Sequence, residues 1–127
     1  MTYTPEKLRE LDAWIAEHVM GWKKIGRGKI LQEWKDSDGN PHFIGDRPIA
    51  DQDDCNCWMD MFNPTTDPAA SDALDDKILE KLGEDGYQIW HDGKNFIMCR
   101  RNGLEPQAKH LDKKICRALF AQRLFSK

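Results

Sequence analysis

The sequence lacks any long apolar run. Its uninterrupted apolar stretches are only a few residues long, whereas a membrane-spanning helix needs about 20. The first ten residues are polar and charged, with no apolar stretch ahead of a small-residue cleavage site, so no signal peptide is expected. We therefore predict a protein without membrane contact, and the cytoplasm is its expected location.

The sequence also lacks the cysteine spacing of a structural zinc site. Cys55 and Cys57 are one residue apart and no second pair follows, whereas zinc knuckles use a Cys-x2–4-Cys spacing. We predict reduced thiols and no metal. Cys99 and Cys116 fall in apolar patterns typical of small buried residues. The alternative, a metal site that includes Cys55 and Cys57, stays open.

No catalytic or cofactor motif is complete. Gly26-Arg27-Gly28-Lys29 resembles part of a phosphate loop, but it lacks the third glycine of a dinucleotide fingerprint and the Gly-Lys-Ser/Thr ending of a Walker loop. No spacing predicts a triad, because triads form in space rather than along the chain. We predict no catalytic residue, no cofactor and a non-enzymatic protein. The rival hypothesis is a small hydrolase that uses His91 with nearby carboxylates.

The charges that are present divide along the chain. The net charge of −3 combines 7 basic and 5 acidic residues in 1–35, 3 basic and 14 acidic residues in 36–85, and 8 basic and 2 acidic residues in 100–127. We interpret the acidic stretch and the basic last helix as complementary or solvated surfaces. Nucleic-acid binding through that helix is the alternative, which the acidic overall balance disfavours.

Length and composition predict one domain over residues 1–127. The chain has 39% apolar residues, with five tryptophans and five phenylalanines, enough for a core in a domain of this size. Oligomeric state is left open.

Local signals predict the order of elements. Thr4 and Pro5 begin a helix over 4–20, and Asp67 and Pro68 begin a second over 67–82. Between them, residues 22–34 are predicted to be extended, residues 36–40 form a turn, and a returning strand follows.

The remaining signals complete the predicted fold. Asp92-Gly93 indicates a hairpin between two strands, and apolar spacing predicts a last helix over 106–125. Short turns between strands favour antiparallel pairing. The predicted fold class is α+β, with one antiparallel sheet of about four strands flanked by three helices, in the order α-β-β-α-β-β-α.

Three segments in this order resemble the phage ABA sandwich domain family. They are residues 11–17 with Met20-Gly21-Trp22, then Phe62-Asn63-Pro64-Thr65-Thr66-Asp67, and Ile115-Cys116-Arg117-Ala118-Leu119. The Asn-Pro-x-x-Asp element is also similar to one in phage NinX-like proteins. The resemblance implies a phage or prophage protein with a sheet flanked by helices, acting inside a bacterial host cell. It implies no catalytic residues.

The basic, glycine-containing segment between Trp22 and Trp34 suggests a ligand site. We hypothesise a protein that binds a host component, either a phosphorylated nucleotide, such as an immune signal that the phage sequesters, or a host protein. A nucleotide would contact cations and helix-entry hydroxyls and would stack on a tryptophan. The predicted ligand-binding residues are Trp22, Lys24, Arg27, Lys29, Trp34, Thr65 and Thr66. For a host protein, the same tryptophans would anchor the interface.

Overall fold

A computed structural model describes residues 3–25, 31–45, 62–101 and 107–126. In these ranges the chain forms three α-helices and six β-strands. The helices are α1 (Pro5–His18), α2 (Pro68–Leu82) and α3 (Lys113–Phe125), and a 3-10 turn (Gly83–Asp85) follows α2. The strands are β1 (Lys23–Lys24), β2 (Leu31–Lys35), β3 (Pro41–Gly45), β4 (Tyr87–His91), β5 (Phe96–Arg100) and β6 (Gln107–His110).

The two predicted helix starts are confirmed. The Thr4 hydroxyl accepts the Lys7 N–H at 3.2 Å, and the Asp67 carboxylate accepts the Ala70 N–H at 3.2 Å. Each cap satisfies an N–H group that has no partner within the helix. The first helix ends at His18, two residues before the predicted end. Beyond it, Gly21 takes a φ of +76°, which favours glycine.

The first sheet has the antiparallel order β1-β2-β3. The predicted turn joins β2 to β3, and one oxygen of Asp36 accepts the N–H groups of both Asp38 and Asn40 at 2.9 Å. Gly39 supplies the positive φ, +85°, that this turn requires. The resulting register places Trp34 opposite His42.

The second sheet has the antiparallel order β4-β5-β6. The hairpin predicted at Asp92-Gly93 is confirmed, because His91 pairs with Phe96 across it. The Asp92 carboxylate accepts the N–H groups of Lys94 and Asn95, which closes the turn.

The prediction of one helix over 106–125 is wrong at its beginning. Residues Gln107–His110 form β6, where Ala108 pairs with Met98, and α3 begins only at Lys113. Leu111, one of the apolar residues whose spacing suggested this helix, is 68% exposed. A four-residue stretch with one buried apolar side chain fits both periods, and pairing with β5 decides in favour of a strand.

The described residues therefore contain two three-stranded sheets and not the predicted single sheet of about four strands. The α+β class, the three helices and the antiparallel pairing are confirmed. The extra strands are β1, only two residues long, and β6, whose pattern resembled helix. β1 lies within the segment 22–34 that was predicted to be extended, whereas β6 is defined by its pairing with β5 rather than by its own sequence.

The helices join the two sheets through one hydrophobic cluster. In the described parts of the chain, α1 packs on β1 and β3, α3 packs on β5 and β6, and α3 also packs on both other helices. Side chains with no solvent exposure come from every layer of this cluster: Ile15, Ile44, Leu74, Met98 and Phe120. No helix among the described residues is both long enough and apolar enough to span a membrane.

Candidate functional site

The two predicted stacking residues, Trp22 and Trp34, belong to the core. Their exposed fractions are 9% and 2%. The Trp22 ring is stacked on the His42 imidazole, with centroids 3.8 Å apart and an interplanar angle of 9°, and the ring of Phe62 meets it edge-on at 4.7 Å. Stacking of a ligand base on the face of Trp22 that contacts His42 would require His42 to move away.

His42 is held from its other side by the turn. Its Nε2 lies 2.9 Å from an oxygen of Asp36. The hydrogen bond with His42 is the main cause that lowers the pKa of Asp36 from 3.8 to about 2, and backbone N–H donors of the turn add to it. The ionised carboxylate can only accept, so Nε2–H is the donor. This Asp36–His42–Trp22 array fixes the beginning of β3 against the segment that leads into β1.

The cations of the first sheet are concentrated on β1 and β2. The register places Lys23 directly opposite Lys35 and places Lys24 opposite Trp34. All three lysines are exposed, and none forms an ion pair with another described residue. Like charges directly opposite each other across two strands are destabilising. Two further predicted contacts, Arg27 and Lys29, lie outside the described residues.

The two predicted threonines, Thr65 and Thr66, precede α2 and contact α1. Thr65 is 1% exposed, and both its N–H and its hydroxyl donate to the buried Asp12 carboxylate at 3.0 and 3.1 Å. The exposed Thr66 hydroxyl accepts a hydrogen bond from Arg9 at 3.1 Å. The hydroxyl of Thr65 is thus occupied by α1, and Thr66 is the accessible member of the pair.

The Ala70 and Ser71 amides at the start of α2 are already bonded within the chain. Pro68 has no N–H, the Ala70 N–H donates to the Asp67 carboxylate, and the Ser71 N–H donates to the Asp67 carbonyl at 2.9 Å. A phosphate at this helix end, as the sequence suggested, would compete with these bonds.

The structure brings some of the predicted ligand-binding residues together. Trp22, Lys24 and Trp34 share the first sheet, and Phe62, which packs on Trp22, leads directly to the threonines. The tryptophans face the core, however, whereas Lys24 is exposed.

Residues on which the hydrolase and nucleic-acid hypotheses depend have contacts or burial within the fold. His91 Nδ1 accepts the Gly93 N–H at 3.1 Å, which supports the hairpin. Arg117, counted among the basic residues of the last helix, is buried.

Cys99 and Cys116 are buried free thiols, as predicted. Burial is the main cause that raises the pKa of the Cys116 thiol to about 11.

The metal hypothesis rests on a segment that is not described. Cys55 and Cys57 lie outside the described residues. Among the residues that are described, no cluster of three or more His, Cys, Asp or Glu side chains is arranged to hold a metal ion.

A largely buried polar network that the sequence does not predict joins α2, α3 and β4. Arg117 donates to the Ser71 hydroxyl at 2.7 Å, and its Nε lies 3.5 Å from the Asp75 carboxylate. Tyr87 donates to the same carboxylate at 2.5 Å. Burial and the neighbouring Asp75 raise the pKa of Tyr87 to about 12. No local pattern links these three chain segments, so only the fold reveals the network.

A groove of about 360 Å³ between α1 and α3, the α1–α3 groove, is likewise not predicted by the sequence. It is lined by Tyr3, Lys7, Glu10, Leu11, Trp14, Leu119 and Gln122. Apolar residues three and four apart along α1, Leu11 among them, indicate a buried face but no groove. The groove depends on where α3 lies.

Comparison with known proteins identifies no relative. No protein-family model matches the chain, and neither a curated protein nor a solved structure shows significant similarity to it. The fold defines the class as α+β: in the ranges that the structure describes, three helices join two three-stranded antiparallel sheets.

Proposed function

We propose that this chain is a phage or prophage accessory protein that binds a phosphorylated nucleotide of the bacterial host without chemical turnover. The observation that carries the proposal is the pairing of Lys23 with Lys35 across β1 and β2. Two exposed ammonium groups directly opposite each other repel, and a bound polyanion would relieve that repulsion.

The proposed phosphate contacts extend the predicted set. Lys24 follows Lys23 on the edge strand β1, but its side chain points to the other face of the sheet, opposite Trp34, so it would reach a phosphate around the edge of the sheet. The predicted contacts Arg27 and Lys29 follow in the sequence. Cationic side chains on neighbouring strands provide several charge-assisted hydrogen bonds to one phosphate chain. Lys23 and Lys35 replace the tryptophans as the main contacts, because Trp22 and Trp34 are buried. In this proposal the protein binds its ligand in the cytoplasm.

Isothermal titration calorimetry tests this function. The purified protein is titrated with ATP, GTP, cyclic mononucleotides, cyclic dinucleotides and pyrophosphate, at low and at high salt. We expect saturable binding of at least one nucleotide that weakens as salt screens the charges. The double variant Lys23→Ala/Lys35→Ala should lose this binding.

The matched control is Lys94→Ala/Lys113→Ala, which removes two exposed lysines elsewhere on the surface. It should bind as the unchanged protein does. If both double variants lose the same affinity for the nucleotide, binding depends on net charge alone, which would contradict the proposed site. Product formation over multiple turnovers, followed by chromatography of the nucleotide, would contradict the non-enzymatic proposal.

One observation favours the alternative, a host-protein interaction. Trp90 on β4 is 43% exposed, and exposed tryptophans often anchor protein interfaces. β4 lies at the end of the strand order β4-β5-β6 in the described part of the sheet. Native mass spectrometry of the protein purified from host lysate would show a stoichiometric host chain, and Trp90→Ala should remove it.

A further inference from the structure

The α1–α3 groove has an apolar floor and aromatic walls. Leu11 and Leu119 are 6% and 9% exposed and form the floor. Tyr3 and Trp14 are partly buried and line the sides. The volume, about 360 Å³, falls at the lower end of the range for small-molecule sites. A ligand with a compact apolar body therefore fits the groove better than a large one.

Each aromatic wall contacts a histidine ring. The Trp14 ring stacks on His18, with centroids 4.5 Å apart, and the Tyr3 ring lies 5.4 Å from that of His110. These contacts restrict the side-chain torsions of the two rings before any ligand arrives. Preorganised walls reduce the entropy lost on binding.

The rim of the groove carries one charge of each sign. Lys7 and Glu10 lie three residues apart on α1, both are exposed, and neither forms an ion pair with another described residue. On α2, by contrast, the equally spaced Lys77 and Glu80 approach to 3.8 Å. The two rim charges are therefore available to a ligand that carries both an anionic and a cationic group.

We infer that the α1–α3 groove binds a free α-amino acid with an apolar side chain. The side chain would lie on Leu11 and Leu119 beside Trp14, the ligand carboxylate would face Lys7, and its ammonium group would face Glu10. This site is separate from the proposed nucleotide site on β1 and β2.

The inference is tested with three related ligands: phenylalanine, 3-phenylpropionate, which lacks the ammonium group, and phenethylamine, which lacks the carboxylate. Binding is followed by two-dimensional NMR through the indole N–H signal of Trp14, assigned with Trp14→Phe. We expect a saturable shift of this signal with phenylalanine. Each truncated ligand should bind about fivefold more weakly, as one rim-exposed charge contact is lost.

Two variants give the result that distinguishes this site from general apolar binding. Lys7→Gln should weaken phenylalanine and phenylpropionate about fivefold and leave phenethylamine unchanged. Glu10→Gln should weaken phenylalanine and phenethylamine and leave phenylpropionate unchanged. Lys94→Ala, in the β4–β5 turn, is the control and should leave all three unchanged.

Other outcomes overturn the inference. An unshifted Trp14 signal at millimolar phenylalanine rules out the site. If either variant weakens all three ligands equally, Lys7 does not contact the ligand carboxylate and Glu10 does not contact its ammonium group. Lys7→Gln should still bind the nucleotide, and Lys23→Ala/Lys35→Ala should still bind phenylalanine. The groove and the proposed nucleotide site are therefore tested independently of each other.

Discussion

Tyr87 is a residue whose ionisation is coupled to the fold. Its hydroxyl donates to Asp75, and its burial disfavours the charged phenolate. The native pKa of about 12 lies above the ordinary tyrosine value of 10.0. The folded state therefore keeps this proton at pH values where the unfolded chain releases it, and the free energy of unfolding falls as pH rises from about 10 to about 12.

We predict that Tyr87→Phe removes this pH-dependent loss. At pH 8 the variant should be less stable by about 1 kcal/mol, because one hydrogen bond is lost. Its stability should then decline less between pH 10 and 12 than that of the unchanged protein. Urea unfolding across this range measures both effects. Tyr3→Phe, which changes the only other tyrosine, is the control, and an unaltered pH slope in Tyr87→Phe would contradict the prediction.

At the scale of the element, the beginning of α3 is set by one cap. The Asp112 carboxylate accepts the N–H groups of Lys114 and Ile115 at 2.8 and 3.2 Å. These are donors that the first turn of a helix leaves without partners. The chain before Asp112 is consequently available to pair with β5 as β6.

Substitution of this cap distinguishes the observed element from the helix predicted over 106–125. As an N-cap, Asp112→Ala should destabilise the protein by about 1 kcal/mol. Within a helix that had begun at residue 106, alanine would instead be stabilising, because its helix propensity exceeds that of aspartate. The sign of the change in urea unfolding decides between them, and Asp112→Ser should recover most of the loss.

At the scale of the whole molecule, Asp12 connects distant parts of the chain. It has no solvent exposure, accepts two hydrogen bonds from Thr65, and lies 3.3 Å from Arg9 Nε. Through it, α1 holds the segment that enters α2. The carboxylate is compensated by these donors and by the guanidinium, as a buried charge requires.

We predict that Asp12→Ala is strongly destabilising. It leaves the guanidinium of Arg9 without this carboxylate and removes the acceptor of the Thr65 N–H, a loss of about 3–5 kcal/mol for one member of a buried pair. Thr65→Val removes the hydroxyl, which donates to Asp12 and accepts from Arg9, but keeps the N–H bond to Asp12, and should cost about 1 kcal/mol. Circular dichroism during urea unfolding measures both variants. Similar small losses in the two would show that Asp12 has no such connecting role.

Local chemistry in the sequence determined much of this protein. The caps at Thr4 and Asp67, the turn at Asp36 and the hairpin at Asp92-Gly93 all follow from hydrogen bonds over two to four residues. Interactions of that range depend on the neighbouring residues alone, so the pattern predicts them. Antiparallel pairing and the α+β class followed from these same short connections.

Tertiary structure decided what depends on residues far apart in the chain. β6 is a strand because β5 lies beside it, and Trp22 is a core residue because His42 and Phe62 cover it. The α1–α3 groove and the pairing of Lys23 with Lys35 likewise exist only once helices and strands have taken their places. Burial and register are set by packing across the whole chain, whereas a single segment carries only its own period and its own turns.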